Sequence, residues 1–252
     1  MSVKIKLLGK NLDDIQDILA EFGLEQCGND TVPELVVTYG GDGALLGAQR
    51  QFPDIPKLPL RDAATAPVCA AHPARSVIAD FVDGKLALTR LPELTATAPQ
   101  GELTGINDLV VKSQEDTSAL RYRVFIDGEL YAQEVVGDGV CFSSVHGSSA
   151  YYRSITRGIF RVGIGLAFSN STETVDHLVL PESSVVTVEI LRGPGVVMAD
   201  NDPCKYHLEG GEKVVLQQSS TRFASVWGLE SFMCPECRFM RHRLLSLNEK
   251  RC

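Results

Sequence analysis

The rhythm of apolar and polar positions changes along the chain. Val3, Ile5 and Leu7 alternate with polar neighbours, the period-two pattern of a half-buried strand. Ile15, Ile18, Leu19 and Phe22 then recur at helical spacing behind Asn11, a residue type suited to capping. Val36, Val37 and Tyr39 predict a strand over 34–39, and Ala44, Leu45, Leu46 and Ala48 favour a helix after it. A short helix over 76–82 and a strand over 85–91 follow, while the alanine-rich stretch 63–74, with Pro67 and Pro73, has no defined pattern. Alternating elements of this kind make a small α/β unit.

From Leu103 onward the period is mostly two. Strands are predicted over 108–112, 120–126, 129–136, 139–144, 185–191, 196–199, 213–217 and 222–227, with Asp127-Gly128 as a hairpin turn. Residues 148–156 are the one helix candidate in this half, and 94–101 (Leu-Thr-Ala-Thr-Ala-Pro-Gln-Gly) reads as a linker. The expected fold is mixed α+β or α/β. A small α/β domain over 1–98 precedes a β-rich, sandwich-like domain over 99–230, and a tail over 231–252 could pack back on the first domain.

Composition narrows the function. With 44% hydrophobic residues the chain can build an ordinary core, and Lys+Arg 24 against Asp+Glu 32 gives a net charge of -8, which argues against a general nucleic-acid or anionic-membrane surface. The tail alone is basic, with Arg238, Arg241, Arg243, Lys250 and Arg251 against Glu236 and Glu249. Its apolar Phe239, Met240, Leu244, Leu245 and Leu247 suggest a short helix. Seven scattered cysteines fit reduced thiols rather than a disulfide framework. No apolar stretch could span a bilayer, and Met1-Ser-Val-Lys-Ile-Lys lacks a signal-peptide core. The expectation is a soluble, cytoplasmic protein.

Chemistry concentrates where the 34–39 strand runs into Gly40-Gly41-Asp42-Gly43. Glycines let a ligand approach the main chain, and a helix starting there turns its first amides toward the same space. That combination suits phosphate. A carboxylate repels phosphate, so Asp42 is expected to handle a proton or a metal ion. The turn lacks the Lys-Ser or Lys-Thr of a P-loop. Gly41, Gly43 and Gly47 with Asp62 downstream approach a dinucleotide fingerprint, but the spacing is one residue too long. A tight turn without function is the plain alternative.

Two further segments carry polar chemistry. Asn107 offers donors and an acceptor and Asp108 acceptors only, a pair able to grip a purine edge or ribose hydroxyls, or simply an Asn-Asp turn. Residues 137–151 contain Asp138, Ser143, Ser144, His146, Ser148, Ser149, Ala150 and Tyr151 around a turn that opens a helix, with Ser148 or Ser149 placed as its N-cap.

In this order the three segments resemble the NAD kinase family. That family carries Gly-Gly-Asp-Gly-Thr after a strand, then Asn-Glu or Asn-Asp, then Asp-Gly followed by Ser-Thr-Pro-Thr-Gly-Ser-Thr-Ala-Tyr. Here they read Gly40-Gly41-Asp42-Gly43-Ala44, Asn107-Asp108, and Asp138-Gly139 through Ser143-Ser144-Val145-His146-Gly147-Ser148-Ser149-Ala150-Tyr151. Val179-Leu180-Pro181-Glu182-Ser183-Ser184 is similar to a further family stretch, so the likeness runs from about Pro33 to Trp227.

The resemblance implies transfer of the γ-phosphoryl group of ATP, or of polyphosphate, to the 2′-hydroxyl of the adenosine ribose of NAD. Gly40, Gly41 and Gly43 would hold phosphate with Mg²⁺, Asp42 would act on the hydroxyl, and Asn107, Asp108, Asp138, Ser149, Ala150 and Tyr151 would hold NAD. His146, Ser144 and Ser148 stand beside these with roles less defined. A homodimer or homotetramer is implied as well.

Three departures mark the chain. Ala44 replaces a threonine or serine, Val145-His146 replaces Pro-Thr, and Leu60-Arg61-Asp62-Ala63-Ala64 stands where the family has Asn-x-Gly-x-x-Gly-Phe. They leave two alternatives: a catalytically inactive nucleotide-binding regulator, and a related kinase acting on another nucleotide, a lipid or a small alcohol. Cys234-Pro-Glu-Cys237 has the spacing of half a zinc knuckle, to which Cys252 or His242 could add ligands. His72, His177 and His207 read as ordinary surface or core histidines.

Overall fold

The computed structural model describes residues 2–28, 31–62, 64 and 68–237 and divides into two compact units. The first comprises the residues up to Arg90 together with 224–237, and the second is Leu91–Phe223.

The first unit alternates strands and helices. Its elements are β1 (Val3–Gly9), α1 (Asp13–Glu21), β2 (Leu24–Gln26), β3 (Leu35–Tyr39), α2 (Asp42–Gln51), β4 (Lys57–Leu60) and α3 (Ala74–Val82). Strands β2, β1, β3 and β4 pair in that order, all parallel. All five residues of β3 are buried, as expected where helices cover both faces of a parallel sheet, which is why this strand reads as a continuous apolar run. Ile5, Ile15, Leu19, Leu35, Val37, Leu58 and Ile78 form the core beneath. Full burial of each Leu or Ile is worth about 1.5–3 kcal/mol.

The second unit is a sandwich of antiparallel strands. In chain order it holds β5 (Leu88–Ala98), β6 (Gly101–Gly105), β7 (Asp108–Ser113), β8 (Leu120–Ile126), β9 (Glu129–Gly137), β10 (Gly139–Ser143), α4 (Tyr151–Thr156), β11 (Ile164–Ser169), β12 (Leu178–Leu180), β13 (Val186–Arg192), β14 (Gly195–Ala199), β15 (Lys205–Leu208) and β16 (Lys213–Trp227). One sheet runs β12-β11-β10-β7-β14-β15. In the other β16, β13, β8 and β9 pair in turn, and β5 joins β16 to β6. Leu109, Val111, Phe142 and Leu166 of the first sheet and Tyr122, Val124, Val188 and Leu216 of the second share one core cluster, in the alternating pattern that a sandwich requires. The last residues of β16 return to the first unit, where Val226 pairs with Lys57, and α5 (Leu229–Phe232) follows.

Several expectations need correction. Residues 94–101 are no linker. Leu94 and Ala96 are fully buried in β5, which pairs with β6 from Leu94 opposite Gly105 to Ala98 opposite Gly101. Small alternating residues imitate a spacer in composition, while their period is that of a strand. The strand expected over 85–91 is the beginning of this longer one, and the two expected over 213–217 and 222–227 are one continuous strand. Asn11 does not cap α1. It has φ 52 and its amide donates to Asp62 at 2.9 Å, while Asp13 and Asp14 complement the helix dipole. Asp127 (φ 52) and Gly128 (φ 85) do form the expected hairpin between β8 and β9. No helix among the described residues is long and apolar enough to cross a membrane. The basic tail from Arg238, with His242 and Cys252, lies outside the described residues.

Candidate active site

The first cluster of functional groups is built where β3 ends. The Gly40 amide donates to Leu60 O at 2.9 Å, so the turn is tied to the end of β4. Gly41 is the N-cap of α2 in extended conformation and Asp42 is its first residue, with no side-chain hydrogen bond capping the helix. A methyl group on Gly41 would meet nothing within 4 Å. Packing therefore does not demand a glycine at 41, and the space beside its backbone is open to a ligand. Helix start, glycines and open space together make the anion cradle that the sequence suggests.

Asp42 projects from this turn with its side chain 44% exposed and accepts a hydrogen bond from Arg61 Nη2 at 3.0 Å. Arg61 is itself nearly buried. Its guanidinium lies 3.5 Å from the centroid of the Phe232 ring and donates from Nε and Nη2 to Phe232 O at 3.2 and 3.0 Å. Stacking plus a fork of donors fixes the cation, and the fixed cation orients Asp42. Arg61 falls within the segment that departs from the family pattern. Nothing in spacing announced it.

The second cluster belongs to the other unit and centres on the turn before β7. Asp200, directly after β14, accepts hydrogen bonds from the amides of Ile106, Asn107 and Asp108 at 2.7, 2.8 and 3.1 Å. Gly105 makes room for it, because a Cβ there would stand 2.9 Å from the Asp200 carboxylate. Ser144 ties the same turn to the start of the 147–149 helical turn: its amide and hydroxyl donate to Asn107 O and Ile106 O at 2.9 and 2.6 Å, and its oxygen accepts from the Gly147 amide at 3.1 Å. A Cβ on Gly147 would lie 2.1 Å from Asn107 O, so only glycine fits that close approach.

The electrostatics of this cluster follow from its burial. Burial, then the charge of Asp200, push the Asp108 carboxyl up to about 7, against the Tyr151 amide, which hydrogen-bonds to it and pulls it down. Burial likewise raises Asp200, though its three amide partners oppose the shift. At neutral pH Asp108 can therefore either accept or donate. Asn107 Oδ1 is buried with no hydrogen-bond partner among the described residues. An acceptor left so costs about 1–3 kcal/mol, which a donor brought by a ligand would recover.

Of the residues expected to hold a nucleotide, Asn107, Asp108 and Tyr151 are brought together, with Ser144 and Gly147 bracing them. Tyr151 is exposed and lines a cavity of about 380 Å³ with Ser154, Arg157, Phe168, Asn170 and His177. Asp138 reaches that cavity's rim through Asn170, whose amide donates to it at 2.6 Å. Ser149 and Ala150 are half-buried in the short turn before α4, and His146 is half-buried one turn earlier. Neither serine is an N-cap, since α4 starts at Tyr151 behind Ala150, and Ser148 donates instead to Phe160 O at 3.2 Å. Asp200 was missed because a lone aspartate after a strand has no signature. Its trace is Gly105.

Cys234 and Cys237 do come together, and among the described residues Cys69 and His72 join them; the expected partners His242 and Cys252 lie outside the described residues. His72, expected as an ordinary surface or core histidine, is half-buried beside these three cysteines.

No protein-family model matches the chain. An NAD kinase of Pseudomonas paraeruginosa is 26% identical over 151 residues, 55% of this chain and 51% of its own length. One of Clostridium perfringens is 32% identical over 129 residues, 47% of this chain and 45% of its own. The chain thus spans about half the length of the curated relatives it matches. An NAD kinase from Archaeoglobus fulgidus, solved in complex with ATP, superposes with a TM-score of 0.72 at 16% identity over 91% of this chain and 96% of that one. In sequence over about half its length, and in fold over most of it, the chain is similar to the NAD kinases. Yeast NADH kinase, solved with NADH, superposes equally well, with a TM-score of 0.72 at 15% identity over 90% of this chain and 83% of that one, a likeness of fold. Against the NAD kinase pattern this chain is set apart by Ala44 in the first turn of α2 and by Arg61, which pairs with Asp42 from the segment that departs from that pattern.

Proposed function

We propose that the chain is a phosphotransferase that moves the γ-phosphoryl group of ATP, or of polyphosphate, to the 2′-hydroxyl of the adenosine ribose of NAD, forming NADP. The observation that carries this reading is the buried, unpartnered Asn107 Oδ1, set beside an Asp108 that can exchange a proton near neutral pH. A polar acceptor kept dry and unpaired suits an amino or hydroxyl donor of a nucleotide and is wasted on an acyl chain.

In this scheme Asn107, Asp108 and the Tyr151 face hold the base and sugar edges, with Asp138, Ser149 and Ala150 around them. Gly40, Gly41 and Gly43 offer amides to the phosphates, and Asp42 accepts the hydroxyl proton or aligns the hydroxyl while Arg61 holds its carboxylate in place. The turn offers a magnesium ion one half-exposed carboxylate, Asp42, which fits an ion carried mainly by the phosphates themselves. When bound, such an ion neutralises charge on the transferring group. The expected setting is the cytoplasm and the expected assembly a homodimer or homotetramer, which sedimentation tests.

One observation favours a second reading, an inactive nucleotide-binding regulator: Asp42 is already engaged by a cation and lacks a hydroxyl neighbour at Ala44. A panel of donors (Mg-ATP, polyphosphate) and acceptors (NAD, NADH, a nucleoside, diacylglycerol) separates these readings. NADP(H) from one donor supports the proposal. Phosphorylation of diacylglycerol alone, or NAD binding without turnover under every donor, overturns it.

A further inference from the structure

In the first unit, among residues assigned no part in nucleotide binding, four metal-ligand side chains converge: Cys69, His72, Cys234 and Cys237. Their ligand atoms all lie within 4.8 Å of one another. Cys69 Sγ is 3.2 Å from His72 Nδ1, and Cys237 Sγ is 3.8 Å from the same nitrogen. A tetrahedron with bonds of about 2.3 Å to sulfur and about 2.0 Å to nitrogen has edges of roughly 3.5–3.8 Å. The observed separations bracket that value, so small side-chain adjustments would place all four ligands on one ion. We propose that this chain carries a structural zinc ion at a Cys3His site formed by Cys69, His72, Cys234 and Cys237.

Three features of the arrangement support the assignment. The ligands come as two pairs with two intervening residues, Cys69-x-x-His72 and Cys234-x-x-Cys237, a spacing that lets a tight turn present both side chains to one point. The first turn is closed by the His72 amide bonding to Cys69 O at 3.1 Å. The three cysteines are free thiols and are 4%, 8% and 1% exposed, so the site is closed by protein, as structural rather than catalytic sites are. The Cys69 amide points at Cys237 Sγ at 3.1 Å, a hydrogen bond that favours a thiolate ligand. Thiolates with one imidazole select zinc over magnesium or calcium, which prefer oxygen.

The site has a consequence for Asp42. Cys234 is two residues beyond Phe232, whose ring and carbonyl hold Arg61, and Arg61 holds Asp42. Zinc would lock the segment after α5 onto the loop after β4 and so brace that clamp. This site stands whether or not the phosphotransferase reading does.

The test is metal analysis of the full chain purified from zinc-supplemented medium without chelator. About one zinc per chain is expected, falling to background in His72→Ala and in Cys234→Ser, and unchanged in the control Cys204→Ser, which alters an exposed cysteine outside the cluster. Cobalt(II) exchanged into the wild-type protein should give the visible bands of a tetrahedral thiolate site. Should a cysteine variant fail to fold, the wild-type stoichiometry and cobalt spectrum decide alone. Background zinc in folded wild-type protein, an octahedral cobalt spectrum, a disulfide among these cysteines, or full zinc content in His72→Ala would each overturn the assignment.

Discussion

Asp108→Asn replaces a carboxyl by its neutral isostere at the most perturbed carboxylate near the turn. The Asp108 carboxyl rises from 3.8 to about 7 on folding, through burial and then through the charge of Asp200. About three units at 1.36 kcal/mol each set a ceiling of ~4 kcal/mol on the cost of carrying this charge in the folded state. Below about pH 4 the group is protonated in both states and imposes nothing. As pH rises the unfolded chain ionises first, so stability is lost steadily until the folded group ionises near 7, and there the loss levels off. Asn107 and Tyr151 keep their backbone bonds in the variant, since an asparagine oxygen still accepts from the Tyr151 amide. Urea unfolding at pH 5, 6.5 and 8 should therefore show the variant gaining on the wild type as pH rises, by about 2–3 kcal/mol between pH 5 and pH 8. The difference isolates Asp108 from the other titrating groups. A wild-type minus variant difference that stays constant across pH would refute the burial argument.

Three other outcomes follow from the geometry. Asp42→Asn should lower phosphoryl transfer by about 10²–10⁴-fold with the melting temperature little changed, measured as initial NADP formation. NAD at about 100 times its Kd should stabilise the wild type by about 2.7 kcal/mol, and Asn107→Ala should remove that shift in a thermal melt. Gly147→Ala should destabilise the second unit by about 1–3 kcal/mol, because its Cβ would lie 2.1 Å from Asn107 O, and denaturant titration would read the loss.

What the sequence disclosed was whatever local pattern dictates. The run into Gly40 gave β3 and α2 because a doubly covered strand is apolar throughout and a glycine turn is locally encoded. The alternation of 120–126 and 129–136, closed by Asp127-Gly128, gave the hairpin almost to the residue. Long-range pairing was invisible. Residues 94–98 look like a spacer until β6 and β16 bury them, and Asp200 gains its role only because β14 ends beside the 106–108 amides. The same holds for the clamp and the metal cluster. Arg61 meets Phe232 across 171 positions, and Cys69 meets Cys237 across 168. The two-residue spacing of Cys69 and His72 stands in the sequence, yet a half-motif acquires meaning only when its other half is known to fold against it.

The most direct measurement follows labelled phosphate from [γ-³²P]ATP into NAD, with wild type and Asp42→Asn side by side and the labelled position fixed by phosphorus NMR. The account predicts label at the 2′ position of the adenosine ribose in the wild type, and a rate lower by at least about 10²-fold in the variant. Label at any other position, or equal rates in both proteins, would contradict it.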